Sequence, residues 1–200
     1  MIDLKKLQQI YQFGKVLKLK DIRILQKSAR KASLNKKEFL LEAGSTKNDV
    51  YFIRSGLVRC FFINEFGKET TFSLFQENHL VFNVDMILDK RPSRYYYETL
   101  EPSKVSYVDY NLLDTLVSKY PKLEFNRKFF SQKVIRDINK RLESFVLLTP
   151  EERYLAFIKE NPKLTNRVPD KYIANILGIT PVSLSRIRKR IISKKNNDTH

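Results

Sequence analysis

The stretch that decides the reading is "NILGITPVSLSRIRKRI", Asn175 to Ile191. A glycine sits at its centre, a Thr-Pro pair follows, and a run of arginines closes it. Extended upstream to Asp170, it reads as two short helices joined by a tight turn. Two helices that cross closely need a small residue at the crossing, which Ala174 supplies. Four residues on, the turn needs a residue tolerant of positive φ, and Gly178 is there. Ile173, Leu177 and Ile179, then Leu184 and Ile187, place apolar side chains on the shared inner face. Thr180 can cap the second helix and Pro181 can start it. Any one of these signals is weak; their spacing together specifies a helix-turn-helix.

The second helix of such a motif inserts its N-terminal half into the DNA major groove. The candidate DNA-binding residues are Thr180, Pro181, Val182, Ser183, Ser185, Arg186, Lys189 and Arg190. Arg186 suits bidentate contact with guanine O6 and N7, and Val182 suits a thymine methyl. Ser183 and Ser185 suit phosphates or base edges. Asp170 is the only acid between Lys163 and Lys195, which leaves a local excess of positive charge for phosphates.

Composition agrees with this. The chain has 200 residues, 42% hydrophobic and 12% aromatic, enough for one medium domain or two small ones with a packed core. Lys and Arg outnumber Asp and Glu by 38 to 22, a formal net charge of +16 that favours a polyanionic partner. Solubility or a lysine-rich genome is the alternative explanation. The single cysteine, Cys60, excludes an intramolecular disulfide and reads as a small buried hydrophobe. Zinc and iron–sulfur sites need several such ligands. With neither a signal-peptide core nor 18 uninterrupted apolar residues, a cytoplasmic protein without membrane attachment is expected.

Upstream of the helix-turn-helix, three zones separate by pattern. To about Ala32, Leu4, Leu7, Ile10, Tyr11, Ile22 and Leu25 recur at helical spacing, with a break at Gly14. From Ser33 to about Tyr110, apolar β-branched and aromatic runs are punctuated by Gly44-Ser45, Ser55-Gly56, Phe66-Gly67 and Glu101-Pro102. That predicts an antiparallel sandwich or barrel, interrupted only by a short helix in "LVFNVDMILD". From Asn111 the helical period returns, and a helix starting after Pro121 runs to Leu148. In it Ile135, Ile138, Leu142 and Phe145 step by three and four, the spacing of a coiled-coil seam between two copies. Phe125, Phe129, Phe130 and Val134 form a second apolar face, against the β domain. Burial of both faces within one chain is the alternative. Thr149-Pro150-Glu151-Glu152 is a helix start and Asn161-Pro162 a stop. The fold class is α+β, with domains at 1–120 (sensor), 121–148 (dimerisation helix) and 149–200 (helix-turn-helix).

A β-roll (a double-stranded β-helix), a long dimer helix and a C-terminal helix-turn-helix together resemble the cAMP-receptor-protein/FNR family of bacterial transcription regulators. "VPDKYIANILGITPVSLSRIRKRI" is especially similar to the subgroup common in Bacteroidetes. The resemblance implies a homodimer on two-fold-symmetric double-stranded DNA, a small-molecule effector in the β-roll, and RNA polymerase as a further partner. The family's base-reading positions fall on Pro181, Val182 and Arg186, of which Arg186 alone keeps the usual residue type. Its cyclic-nucleotide cassette falls on "HLVFNVDMILDKRPSRYYYETL", His79 to Leu100, and is degenerate. The Gly-Glu position reads Asn83-Val84, or Asp85 with a one-residue slip, and Ser93 replaces the phosphate arginine. The candidate effector pocket is therefore Phe82, Asn83, Asp85, Arg91, Ser93 and Arg94. Arg91 or Arg94 could substitute for the lost arginine, or be surface turn charge. No cofactor is expected, and these departures argue against a cyclic nucleotide. One cysteine argues against an FNR-type cluster, and His79, the only histidine before the C-terminal residue, argues against haem. Nor can one internal histidine furnish a cupin metal set or a Ser-His-Asp triad, so no enzyme is expected. The rival reading is a basic dimeric module that regulates a partner protein or binds nucleic acid without sequence preference.

Overall fold

A computed structural model describes Arg23, residues 27–119 and residues 121–197; the side chains at 121–123, 125–127, 129–130 and 195–197 lie outside that description. The expected N-terminal helix and its Leu4–Leu25 face therefore lie outside the described residues, as do the side chains of Phe125, Phe129 and Phe130.

The strand zone folds as eight strands in two sheets. They are β1 (Arg30–Leu34), β2 (Phe39–Leu41), β3 (Asp49–Ser55), β4 (Val58–Ile63), β5 (Glu69–Phe75), β6 (Leu80–Phe82), β7 (Tyr96–Thr99) and β8 (Ser103–Asp109). One sheet has the order β1-β8-β3-β6 and the other β2-β7-β4-β5. The first strand begins at Arg30, ahead of the expected helix-to-strand change at Ala32. Its five residues pair antiparallel with β8, Arg30 opposite Tyr107 and Leu34 opposite Ser103, so a polar-looking "RKASL" is held by its ladder rather than by propensity.

The alternation of strand side chains builds the core between the sheets. Val58 and Cys60 of β4 point into it with Tyr51, Ile53, Val81, Tyr97 and Val105. Cys60 is a free, buried thiol, as its apolar flanks predict. Arg59, between them, lies on the opposite face and pairs with Glu98 of the neighbouring β7 at 2.5 Å. Turn chemistry sets the hairpins. Gly56 has φ +104, and a Cβ there would sit 2.1 Å from Ser103 Oγ, so the β3–β4 turn admits no side chain.

The helices are α1 (Val84–Asp89), α2 (Tyr110–Lys119), α3 (Pro121–Leu147), α4 (Pro150–Glu160), α5 (Asp170–Leu177) and α6 (Pro181–Asn197), with a 3₁₀ turn at Leu164–Asn166. The short helix foreseen in "LVFNVDMILD" is α1. Helix α6 continues through the polar C-terminal stretch to Asn197. At the start of α4 a full capping box forms: the Glu152 N–H donates to Thr149 Oγ1, and Glu152 Oε2 accepts from the Thr149 N–H at 2.8 Å.

Two compact units result, and each has its own core. One comprises residues 1–60 and 74–136, the other residues 61–73 and 137–200. The division falls inside α3, between Arg136 and Asp137, and not at the ends of that helix. The tip of the β4–β5 hairpin thus groups with the C-terminal helices. No described helix is long and apolar enough to cross a membrane.

Candidate nucleic-acid interface and sensor cassette

Helix α5 ends where its sequence loses the ability to stay right-handed. Gly178 adopts φ +66, ψ +35, its N–H donates to the Asn175 carbonyl, and the Ile179 N–H donates to the Ala174 carbonyl. This is a Schellman closure, and the left-handed residue it requires is the reason for glycine. Helix α6 then starts on Thr180, whose Oγ1 accepts from the Ser183 N–H at 3.1 Å. Between the helices, Ile173, Ala174 and Leu184 are fully buried, and Leu177 and Ile187 nearly so. Arg153 of α4 closes the junction by donating to the carbonyls of Leu177 (3.2 Å) and Leu148 (2.7 Å).

At roughly 100° per residue, the buried side of α6 carries Leu184 and Ile187, and the opposite side carries Val182, Ser185, Arg186 and Lys189. All four are exposed, Val182 at 61%. Pro181 is also exposed, at the first turn. Three sequence candidates are engaged within the protein. Thr180 caps the helix; the Ser183 hydroxyl is half-buried, 2.9 Å from that of Thr180. Arg190 pairs with Glu151 at 2.9 Å, and Lys194 meets the same carboxylate at 2.8 Å. Those two cations, Lys194 first, hold the Glu151 carboxyl below the usual carboxylate range. Arg188, absent from the candidates, is structural: it donates to Tyr154 Oη at 3.0 Å and pairs with Asp170 at 2.6 Å. Its place on the inner flank of α6, one helical turn after Leu184, is the signal that separates it from Arg186.

Along α3, Ile135, Ile138 and Leu142 are 66%, 63% and 60% exposed, a continuous apolar stripe. Val146, one turn beyond Leu142, extends it at 72% and escaped the sequence reading. Phe145, the fourth expected seam residue, is 39% exposed and also has a partner within the chain. Its ring lies against Gly178, where a Cβ would come within 2.7 Å of Cε1, and the Arg153 guanidinium stacks 4.9 Å from its centroid. Val134, of the second face, is 38% exposed.

The candidate effector residues are bonded largely to one another and to neighbouring backbone. Asn83, buried, caps α1 by accepting from the Met86 N–H (3.2 Å) and donates to the Ser45 carbonyl (3.1 Å). Asp85, also buried, accepts from the Arg94 N–H at 2.9 Å and from Arg94 Nη2 at 2.9 Å. Hydrogen bonds from the Arg94 side chain, opposed in part by burial, hold the Asp85 carboxyl below its ordinary value. Ser93 is buried, its hydroxyl donating to the Tyr95 carbonyl at 2.9 Å. Arg91 stays at the surface beside Asp89, at 2.6 Å, as turn charge. Phe82 is half-buried, and its carbonyl accepts from Tyr97 Oη at 3.1 Å. Inside the roll, aromatic pairs pack with aliphatic side chains between the sheets. Tyr51 and Tyr107 stack at 5.4 Å, and Phe75 meets Tyr97 at 6.3 Å. Burial pushes the phenols of Tyr51 and Tyr97 far above their usual range, so both stay protonated donors. His79 follows the β5–β6 turn, its Nδ1 3.1 Å from the Gln76 carbonyl, and no group of metal-ligating side chains forms among the described residues.

The comparisons with known proteins bear on both units. The family model of the cyclic nucleotide-binding domain matches residues 31–120. The anaerobic regulatory protein of Haemophilus influenzae is 30% identical over 177 residues, covering 80% of this chain and 66% of that protein. The fumarate and nitrate reduction regulatory protein of Vibrio cholerae is 30% identical over 175 residues, covering 80% of this chain and 68% of its own length. The chain thus spans about two thirds of the curated relatives it matches. Among solved structures, that of FixK2 from Bradyrhizobium japonicum shares the fold with a TM-score of 0.69 at 18% identity, covering 84% of this chain and 86% of FixK2. The chain belongs to the cAMP-receptor-protein/FNR family.

Proposed function

We propose that the chain is a sequence-specific DNA-binding transcription regulator that acts as a homodimer. The observation that carries this is the solvent face of α6, where Val182, Ser185, Arg186 and Lys189 stand opposite the buried Leu184 and Ile187. A helix held by its inner side and presenting a basic, bidentate-capable outer side is built to enter a major groove. Curated relatives named as regulatory proteins support the same reading. The exposed stripe of α3 supplies the dimer seam, with Ile135, Ile138 and Leu142 packing against their copies. Two such heads must stand about 34 Å apart to enter successive major grooves. RNA polymerase is the partner through which such a dimer acts on a promoter.

The sensor domain, in this reading, regulates without a cyclic nucleotide. Asp85 pairs with the guanidinium of Arg94, Ser93 offers a hydroxyl already bonded to its own loop, and a packed core that includes Tyr51 and Tyr97 lies between the sheets. Selection from a random duplex pool tests the main claim. It should return a two-fold-symmetric sequence with half-sites one helical turn apart. A pool that emerges unenriched contradicts it.

A further inference from the structure

Four side chains from three elements form a chain of ring–guanidinium contacts within the unit formed by residues 61–73 and 137–200. The Phe72 ring of β5 lies 4.9 Å from the Arg141 guanidinium of α3, and Arg141 lies 5.8 Å from the Phe145 ring. Beyond it comes the Arg153 guanidinium of α4, 4.9 Å from the same ring. The two ends of this aromatic–guanidinium ladder are tied to backbone. Arg141 Nη1 donates to the Phe72 carbonyl at 2.7 Å, and Arg153 Nε donates to the Leu177 carbonyl that ends α5. Phe145 covers Gly178 so closely that no side chain fits there.

A second link runs in parallel. The Thr71 N–H donates to Asn175 Oδ1 of α5 at 3.1 Å. Strand β5 is the edge of its sheet. Here Thr71 N–H and Phe72 C=O are taken by side chains of the helix-turn-helix and the long helix. Each of these bonds can be exchanged for water at modest net cost. The hairpin edge is therefore a releasable support for the reading head.

We propose that Arg141 and Phe145 are positioning residues for DNA recognition, fixing the direction of α6 by clamping the α5–α6 turn between the long helix and the hairpin edge. This rests on the DNA-binding reading of α6. Neither residue touches DNA: the ladder acts through Gly178 and the end of α5. Aligned this way, the recognition helix is presented to base edges; unclamped, it retains its charge but not its register.

The test uses the full chain and three variants, Arg141→Met, Phe145→Leu and Phe145→Tyr. Binding to a selected duplex and to a random pool is titrated with salt, and amide exchange is followed at Thr71 and Gly178. Arg141→Met and Phe145→Leu should each lower the preference for the selected duplex by about tenfold, as expected for loss of stacked cation–ring contacts. The slope of affinity against salt should stay unchanged, and Phe145→Tyr should keep the preference. A wild-type preference retained in Arg141→Met overturns the proposal, and so does a salt slope lowered by about one, the mark of a phosphate contact. If the wild type itself shows no preference, the DNA reading fails separately, and exchange decides the ladder. Joint acceleration at Thr71 and Gly178 in Arg141→Met supports it; acceleration at Thr71 alone overturns it.

Discussion

Replacing Ile138 and Leu142 by aspartate should turn a dimer into monomers. The two side chains are 63% and 60% exposed in the single chain, so a partner helix can bury rather more than half of each. Complete burial of such a side chain contributes about 1.5–3 kcal/mol, which makes the available gain about 1–2 kcal/mol per residue. Ile135, 66% exposed, adds a similar amount. Three residues on two chains give about 6–12 kcal/mol gross, against an association cost of about 4–15 kcal/mol. Such a seam holds a dimer with little to spare, helped by Val146 at its end. Losing two residues on both chains removes about 4–8 kcal/mol, before any penalty for burying carboxylates. At 1.4 kcal/mol per decade the dissociation constant rises by at least about a thousandfold. Sedimentation equilibrium over a concentration series measures it, with Arg136→Ala, exposed on another side of α3, as the control. A double variant whose dissociation constant stays within tenfold of wild type refutes the seam.

Arg186→Ala should cost about 1–3 kcal/mol on a selected duplex and relax base preference at one position of each half-site. Uniform weakening over all sequences, read in a competition assay, would instead make it a phosphate contact. Asp85 predicts part of the acid sensitivity of the β-roll. Its carboxyl is depressed in the folded state, so the unfolded chain binds the proton more tightly, and stability rises with pH between the two values. That contribution is complete above the unfolded value, about 3.9, and is lost as pH falls through the folded one. Acid unfolding followed by tyrosine circular dichroism should be flatter in Asp85→Asn over that window; an identical pH profile would count against the pair. Thr149→Ala removes the cap of α4, worth about 1 kcal/mol, and should speed exchange of the Glu152 amide about fivefold. Unchanged exchange there would mean that the capping box contributes nothing.

The helix-turn-helix was legible in full because each of its constraints is local: a small residue at a crossing, a left-handed glycine, a hydroxyl cap. The same holds for the α4 capping box and for the hairpin turns. The start of β1 was not legible, since "RKASL" becomes a strand only by pairing with β8, seventy residues away. Arg94 was recognised as a candidate, but its partner Asp85 could not be chosen over an absent ligand from sequence alone. Phe145 shows the limit most clearly. Its heptad position is that of the proposed seam, whose other members Ile135, Ile138 and Leu142 are exposed on α3. Its ring also lies against Gly178 and between two guanidinium groups, contacts that helical spacing does not announce. Arg153 and Arg188 drew no assignment from the sequence for a similar reason, their carbonyl, phenol and carboxylate partners being supplied by other parts of the fold.

The most direct measurement is a salt titration of binding to a selected duplex and to a random duplex of equal length, with the stoichiometry determined at each point. The account predicts one dimer per selected duplex and an affinity at least about a thousandfold above the random one at physiological salt. It also predicts that affinity for the random duplex falls steeply as salt rises. Equal affinity for both duplexes at every salt concentration would contradict it, and would leave a basic helix with nothing to read.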